Sequence, residues 1–217
     1  MRAARSSISS ELSRLNLRAN GKAVSSKIQG LPAFQQTVRL GHMVGPLESV
    51  DRLFSDRLLS AMNALAGADL KPSQPHAQIL ISFPHKMDWS LNPLNWHLDL
   101  TPPKANEIPG IQAFILIDDV QPQGGATLAL AGSHKLHYIS HNCSAHEILR
   151  RRSDFFLRPE KYLEPQLVEG TPIQIVELSG RAGDVYLMDL RILHTPSINA
   201  RRNIRMMATN RYLKAHS

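Results

Sequence analysis

The spacing of apolar residues predicts helices in the first third of the chain. Between residues 45 and 70 apolar side chains recur at steps of three and four, the period of one helix face: Leu47, Val50, Phe54, Leu58, Met62 and Leu65. Gly67 follows them, and glycine is a common helix stop. A second, shorter helix is predicted over residues 10–17, where two leucines are spaced for one face.

After Pro72 the pattern changes to short runs typical of β-strands, separated by Pro, Gly, Asn and Asp. The predicted strands are Ala77–Phe83, Gln112–Ile117, Thr127–Leu130, Pro172–Leu178, Asp184–Met188 and Ile204–Leu213. Short strands with turn signals between them favour an all-β sandwich or barrel over alternating β and α units. We therefore expect a mainly β domain, with a helix or two from the N-terminal third packed in front of the sheets.

A long insertion, residues 134–171, interrupts this series of strands, and a partly helical stretch is predicted within it over residues 147–156. It carries several histidines and aromatic residues, and the arginine triplet Arg150, Arg151 and Arg152. Long insertions in a compact domain are usually lids or binding loops, so we expect this one to cover a site. The triplet is also typical of a solvated loop face, because loops tolerate charge freely.

The charge of the chain is concentrated at its N-terminus. The 217 residues have a formal net charge of +7, and residues 1–30 hold six Lys or Arg and one acidic residue, so they account for +5. The remainder is nearly neutral, which argues against nucleic-acid binding through phosphate contacts. We predict a basic N-terminal segment over residues 1–30 and one domain over residues 31–217. Ser- and Arg-rich composition also leaves a targeting role open for the first segment.

Cysteine content and hydropathy favour a cytoplasmic protein. The single cysteine, Cys143, excludes an intramolecular disulfide framework and a Cys-rich zinc site. No apolar run approaches the ~18–20 residues that span a bilayer, so no membrane partner is expected. The oligomeric state cannot be inferred from these features.

Three residues have the chemistry and spacing of a metal site. His97 and Asp99 lie two positions apart, so on an extended segment both side chains point to the same face. His194 follows a predicted strand end, and would add a second imidazole. Two histidines and one carboxylate on one face leave open coordination positions and are typical of non-haem iron(II).

An arginine in the last predicted strand could bind an anion. Arg205 comes eleven residues after His194 and opens an alternating strand. A guanidinium that points into a barrel needs a partner such as a carboxylate, since burying it unpaired is costly. We rank Arg205 first for this role and Arg202 second. Arg201 and Arg211 are expected to face outward, and so is Arg202 if it does not bind the anion.

Several motifs, in order along residues 75–213, resemble the phytanoyl-CoA dioxygenase family of iron(II)- and 2-oxoglutarate-dependent oxygenases. The matching segments are Trp96-His97-Leu98-Asp99, Ile115-Leu116-Ile117-Asp118-Asp119-Val120, Gly124-Gly125-Ala126-Thr127-Leu128, Ala131-Gly132-Ser133-His134-Lys135, Ala182-Gly183-Asp184-Val185, and His194 with Asn199 and Arg205. The resemblance implies a double-stranded β-helix, or jelly roll, with flanking N-terminal helices.

The resemblance also implies roles for individual residues. His97, Asp99 and His194 would bind iron(II), and Arg205 would bind the C5 carboxylate of 2-oxoglutarate. Three further residues would border the cosubstrate pocket: Thr127, Gln112 and, less directly, Gln78. Pro196 stands where the family often has a serine that contacts the cosubstrate, so more of its binding falls on Arg205. Asp99 is present where halogenating relatives carry a small residue, which favours hydroxylation or another oxidation.

These features together predict an oxygenase that consumes 2-oxoglutarate and O₂, releases succinate and CO₂, and oxidises a small metabolite. An amino-acid derivative or a natural-product intermediate is the expected substrate, and the triplet Arg150–Arg152 could receive an anionic group of it. Two alternatives remain open at this point. One is a cupin-like metal enzyme that does not use 2-oxoglutarate, and the other is a jelly-roll binding protein without catalysis.

Overall fold

The computed structural model contains two antiparallel β-sheets with helices packed on their outer faces. It describes residues 1–19, 22–23 (backbone only), 28, 30–92, 94–100, 107–136 and 144–214. The strands are β1 (Arg18–Ala19), β2 (Lys22–Ala23), β3 (Leu70–Pro72), β4 (Gln78–Ser82), β5 (Gly110–Leu116), β6 (Thr127–Ala131), β7 (Gln166–Val168), β8 (Thr171–Glu177), β9 (Val185–Asp189), β10 (His194–Pro196) and β11 (Arg205–Lys214). The helices are α1 (Arg2–Arg14), α2 (Ala33–Val44), α3 (Glu48–Asp51), α4 (Asp56–Ala66), α5 (Ser133–Leu136), α6 (Ala145–Arg152) and a 3₁₀ helix (Pro159–Leu163).

The larger sheet is built around β11. Its strand order is β3-β11-β5-β9, and β4 pairs with β11 on the same side as β3. Arg205 lies opposite Ser82 of β4, and Thr209 lies opposite both Gln78 of β4 and Phe114 of β5. The smaller sheet has the order β10-β6-β8-β7. Because side chains alternate along a strand, every second residue of β11 from Arg205 onward faces the space between the sheets.

Apolar side chains from both sheets fill this space. Phe114, Leu116 and Met207 come from the larger sheet and Ala129 from the smaller one, and all four belong to one buried cluster. Two facing antiparallel sheets around a shared core form the jelly roll, so the predicted fold class is confirmed.

Helix α2 packs against the edge of the larger sheet at β4. Its approach is so close that a Cβ atom on Gly41 would lie 2.2 Å from the carbonyl oxygen of Ile79, so a larger residue would force the helix away. The Gln36 side chain accepts hydrogen bonds from the Ser82 hydroxyl and the Phe83 backbone N–H. The helix also contacts β10 of the smaller sheet, and therefore closes the gap between the two sheets on this side.

All six predicted strands are confirmed, each within two residues of its expected ends. The long helix predicted over residues 45–70 is instead two helices, α3 and α4. The Ser55 side chain accepts a hydrogen bond from the Leu58 backbone N–H and so starts a new helix within the apolar pattern. Gly67 ends α4 in the left-handed conformation, as expected.

The described part of the 134–171 insertion packs on the outer face of the smaller sheet. Helix α6 buries Ile148 and Leu149 in a cluster with Phe155, and with Leu128 and Ile173 of the sheet. Residues 137–143 of this segment lie outside the described residues, as do residues 20–21, 24–27 and 29 of the basic N-terminal segment. The lid role of the insertion therefore stays a prediction.

The N-terminal helix is longer than predicted and contributes to the core. Helix α1 begins at Arg2, well before the predicted residue 10, and buries Ala4, Ile8 and Leu12 against the outer face of the larger sheet.

In the part of the chain that the structure describes, no helix has the length and hydropathy required to cross a membrane.

Candidate metal centre

His97 and His194 are held together by their own backbones. The His97 N–H donates to the carbonyl of His194, and the His194 N–H donates to the carbonyl of His97, both at 3.0 Å. This isolated antiparallel bridge fixes the loop before Asp99 to the start of β10. The two imidazole rings consequently lie with their centroids 4.6 Å apart, although the residues are far apart in sequence.

Backbone carbonyls determine which nitrogen of each ring is free. Nδ1 of His97 lies 2.8 Å from the Asn95 carbonyl, and Nδ1 of His194 lies 3.1 Å from the Ile192 carbonyl. A carbonyl only accepts hydrogen bonds, so each Nδ1 carries a proton, and in the neutral form of each ring Nε2 presents a lone pair. Nε2 is 3.8 Å from Asp99 Oδ1 in His97 and 3.6 Å from Asp99 Oδ2 in His194.

The protonation states suit metal binding. Burial by itself would raise the pKa of Asp99, but the polar and positive groups around it, His194 first and then Arg211 and His97, lower that pKa to about 2. Burial lowers the pKa of His97, which keeps its imidazole neutral. The potential ligand atoms of the three residues, one from each, all lie within 4.8 Å of one another. Two imidazoles and one carboxylate on one side of a cavity fit a divalent transition metal with open positions.

The triad opens into a cavity of about 190 Å³ between the sheets. Gln78, Gln112 and Thr127, the three residues predicted to border the cosubstrate, all line this cavity. The Oε1 atom of Gln112 is buried and has no hydrogen-bond partner among the described residues. Pro196 also lines the cavity and offers no donor there.

Arg205 is buried just behind the cavity wall, with only 2% of its surface exposed. Its Nε donates to the Gly125 carbonyl at 2.7 Å and its Nη2 to the Thr37 hydroxyl at 3.4 Å. Nη1 is buried without a partner in the described structure. Burial lowers the pKa of this guanidinium to about 9, so it remains charged at neutral pH. Arg205 does not line the cavity itself, but Thr37 does. A buried guanidinium with a free donor fits an anionic ligand.

Arg211 corrects one expectation, because it faces inward. Its Nη1 lies 3.4 Å from Asp99 Oδ2, and its side chain lines the cavity. The physical reason is strand alternation: Arg211 is six residues after Arg205, so both project from the same face of β11. The same rule, applied to the sequence, would have found it. Arg201 and Arg202 precede β11 and are exposed, as expected.

The triplet Arg150–Arg152 is not brought to the cavity. All three residues are exposed on α6, on the outer side of the smaller sheet. Arg151 pairs with Glu147 at 2.5 Å and Arg152 with Glu169 at 3.3 Å. Ion pairs at the surface account for two of these three charges without a substrate.

Helix α2 supplies cavity residues that the sequence analysis missed. Phe34, Thr37 and Val38 line the cavity, and the Phe34 ring meets the His97 ring edge-on with centroids 5.3 Å apart. The helix was not predicted because its buried face includes two polar residues, Gln36 and Thr37. These two polar residues interrupt the apolar pattern of that face.

A jelly roll that presents two histidines and one carboxylate to a cavity belongs to the class of non-haem metal enzymes. The family model described as phytanoyl-CoA dioxygenase (PhyH) matches residues 8–207. The chain therefore belongs to the phytanoyl-CoA dioxygenase family, which confirms the resemblance of its motifs. A search of curated proteins found no match.

Solved structures share the fold. The non-haem α-ketoglutarate-dependent carbocyclase SnoK from nogalamycin biosynthesis has 19% sequence identity and a TM-score of 0.58, over 99% of this chain and 74% of SnoK. HygX from Streptomyces hygroscopicus, with nickel and 2-oxoglutarate bound, has 20% identity and a TM-score of 0.52, over 97% of this chain and 78% of HygX. EvdMO1 has 18% identity and a TM-score of 0.51, over 76% of this chain. The chain spans only 32% of EvdMO1. At these identities the likeness shows the fold.

Proposed function

We propose that this protein is an iron(II)- and 2-oxoglutarate-dependent dioxygenase that hydroxylates, or otherwise oxidises, a small-molecule metabolite. The observation that carries the proposal is the pairing of two features in one interior: a triad with both Nε2 atoms turned to Asp99, and a buried guanidinium with a free Nη1. When bound, iron(II) and 2-oxoglutarate activate O₂, with succinate and CO₂ as products. Membership of the PhyH family supports this assignment.

The chain's own residues hold and orient the reacting groups. His97, Asp99 and His194 bind the metal, and the two carbonyls behind the imidazoles keep each Nε2 aimed inward. All three side chains line the cavity, so a metal held by them would be accessible to small ligands from that space.

Arg205 holds the far carboxylate of 2-oxoglutarate. Nη2 contacts Thr37 in the cavity wall, so an anion bound beside Thr37 would lie close to the guanidinium, whose buried Nη1 has no partner among the described residues. Polar contacts along the cavity wall come from Gln112, Thr127 and Gln78. The unpaired Oε1 of Gln112 is free to accept a hydrogen bond.

Apolar side chains keep water away from the triad. Phe34, Val38, Leu80 and Phe114 line the cavity on the sides that the polar residues leave. A dry site strengthens electrostatic contacts and limits side reactions.

The substrate class is a small metabolite, such as an amino-acid derivative or a natural-product intermediate. SnoN, a non-haem epimerase of 20% identity whose structure holds Fe³⁺, α-ketoglutarate and nogalamycin RO, acts in nogalamycin biosynthesis and supports this choice by analogy. The nearly neutral charge of residues 31–217 supports a substrate other than nucleic acid. We also propose a cytoplasmic location, because the chain has a single cysteine.

Anaerobic reconstitution tests the proposal. Iron(II) and 2-oxoglutarate are added under argon and the visible charge-transfer band is recorded; the sample is then exposed to air and succinate is quantified. We expect a band and succinate in the wild type, and neither in His97→Ala. His85→Ala is the matched control, because His85 lies outside the cavity lining and should leave both signals intact. Metal binding without either signal would favour a cupin-like enzyme or a non-catalytic protein.

A further inference from the structure

The metal cavity is too small to hold both a cosubstrate and a substrate. Its volume is about 190 Å³, whereas sites for organic ligands usually measure about 300 Å³ or more. If 2-oxoglutarate occupies the cavity, as the proposed function requires, the substrate must bind largely outside it and reach in toward the triad.

A larger cleft adjoins the cavity and shares part of its wall. This cleft, of about 480 Å³, lies between α2, the segment 74–77 and β11. Gln78, Thr209 and Arg211 line both spaces, so the cleft adjoins the metal cavity at these three residues. We refer to it as the Arg211 cleft.

The walls of the Arg211 cleft favour an anion. Arg211 contacts Asp99 through Nη1 at 3.4 Å, and 30% of its side chain is exposed. His42 and His76 also line the cleft, and His76 is paired with Asp51 at 2.9 Å. No Asp or Glu side chain lines the cleft among residues 30–92 and 107–136 or elsewhere in the described chain.

We propose that the Arg211 cleft binds the substrate and that Arg211 holds a carboxylate of that substrate. The planar guanidinium offers paired donors that match the two oxygens of a carboxylate. Because the same guanidinium contacts Asp99, an acid on its free edge lies next to the triad. The carbon that is oxidised is therefore close to the acid group along the substrate.

A second opening near the cavity is a poorer fit. It has a volume of about 470 Å³ and touches the cavity at Phe34 and Val38. Its lining comes from Leu31 and α2 alone in the part of the chain that the structure describes. One helix face gives a single wall, whereas the Arg211 cleft has walls from three segments.

Ligand-observed NMR tests the assignment without turnover. The full chain is loaded with zinc(II) in place of iron and saturated with 2-oxoglutarate, which occupies the Arg205 site. A set of small carboxylic acids is then screened, each beside its primary amide and a phosphate monoester of similar size. We expect the acids to bind at least about tenfold more tightly than their amides, as charge-assisted hydrogen bonds imply.

Variants of Arg211 locate the binding. Arg211→Gln should lose the preference for acids, Arg211→Lys should keep part of it, and the matched exposed variant Arg202→Gln should behave as wild type. Equal binding of acids and amides, no acid binding at all, a preference for phosphate monoesters, or an unchanged preference in Arg211→Gln would each overturn the proposal.

The proposed function is checked in the same samples. If the zinc-loaded wild type does not bind 2-oxoglutarate, the cosubstrate assignment fails whatever the acids do. If 2-oxoglutarate binds equally to wild type and Arg211→Gln while the acid preference is absent, only the cleft assignment fails.

Discussion

Two arginines on the same face of β11 have opposite surroundings. Arg205, at the start of the strand, is buried and has a guanidinium nitrogen without a partner among the described residues, whereas Arg211 is partly exposed and contacts Asp99. Both residues are arginines on the inner face of one strand, so neither residue type nor strand face distinguishes them. The two residues differ in burial. Arg205 is desolvated and lacks an anionic partner among the described residues, whereas Arg211 lies where the two cavities adjoin and is partly exposed to solvent.

This difference separates two kinds of recognition. A fully buried guanidinium is costly until a fixed anion binds, which suits a cosubstrate that is the same in every turnover. A half-exposed guanidinium is inexpensive to leave unoccupied, which suits a substrate that enters and leaves. Substitutions at these two arginines and at residues near them test that distinction.

Replacing Arg205 should have the largest effect. Arg205→Met should weaken 2-oxoglutarate binding by at least about a hundredfold, because the buried charge that pairs with the carboxylate is removed. The stabilisation by 2-oxoglutarate, about 2.7 kcal/mol at a hundred times Kd, should disappear from thermal unfolding curves. Wild-type stabilisation in Arg205→Met would contradict the assignment.

The same variant should be more stable without ligand. Burial destabilises the charged form of Arg205, as its lowered pKa indicates. An apolar side chain of similar length removes that penalty, and the loss of the hydrogen bonds to Gly125 and Thr37 offsets only part of the gain. We expect the free energy of unfolding in urea to rise by about 1–3 kcal/mol. A clear decrease would mean that Arg205 is already compensated in the ligand-free protein.

Replacing Arg211 should affect substrate and spare the cosubstrate. In Arg211→Gln, half-saturation by 2-oxoglutarate should stay within about threefold of wild type, while kcat/KM for an acidic substrate falls by about tenfold or more. Succinate production without substrate serves as the internal reference. A loss of 2-oxoglutarate binding equal to that of Arg205→Met would remove the distinction between the two residues.

Thr37 should have a smaller effect. Thr37→Val keeps the shape of the side chain but removes the hydroxyl that accepts from Arg205 at 3.4 Å. Since this bond is long, we expect 2-oxoglutarate affinity to change by only about two- to fivefold, measured by calorimetry. Thr37→Ser, which keeps the hydroxyl, is the matched control and should remain at the wild-type value.

The smallest effect is expected at the arginine triplet on α6. Replacing Arg150, Arg151 and Arg152 together by Gln should leave KM for substrate unchanged, because their side chains face solvent on the outer side of the smaller sheet. A raised KM with unchanged kcat would restore the expectation that this segment covers the site.

Sequence patterns predict the strands and the triad because their signals are local. His97 and Asp99 are two residues apart, and each strand shows its own alternation. Helix α2 escapes prediction because Gln36 and Thr37 occupy its buried face, where they contact β4 and Arg205. Its partners are distant in sequence, so no local pattern marks them.

Arg211 shows the other limit. Alternation from Arg205 already places it on the inner face, but its contact with Asp99 depends on how the loop carrying Asp99 folds over β11. Likewise, only the packing of α6 on the smaller sheet shows that the triplet is remote from the cavity. The face of a strand to which a side chain points can be predicted from sequence. How deeply that side chain is buried, and which residues it contacts, depend on the assembled fold.

The assignment of His97 to the metal and of Arg205 to the cosubstrate can be tested in one experiment. The iron(II)-loaded protein is titrated anaerobically with 2-oxoglutarate, and the visible charge-transfer band is monitored. We expect a saturable band in wild type, no band in His97→Ala, and in Arg205→Met a band that requires at least about a hundredfold more 2-oxoglutarate. A titration of Arg205→Met that matches wild type, or a wild type that binds iron(II) and gives no band, would contradict the account.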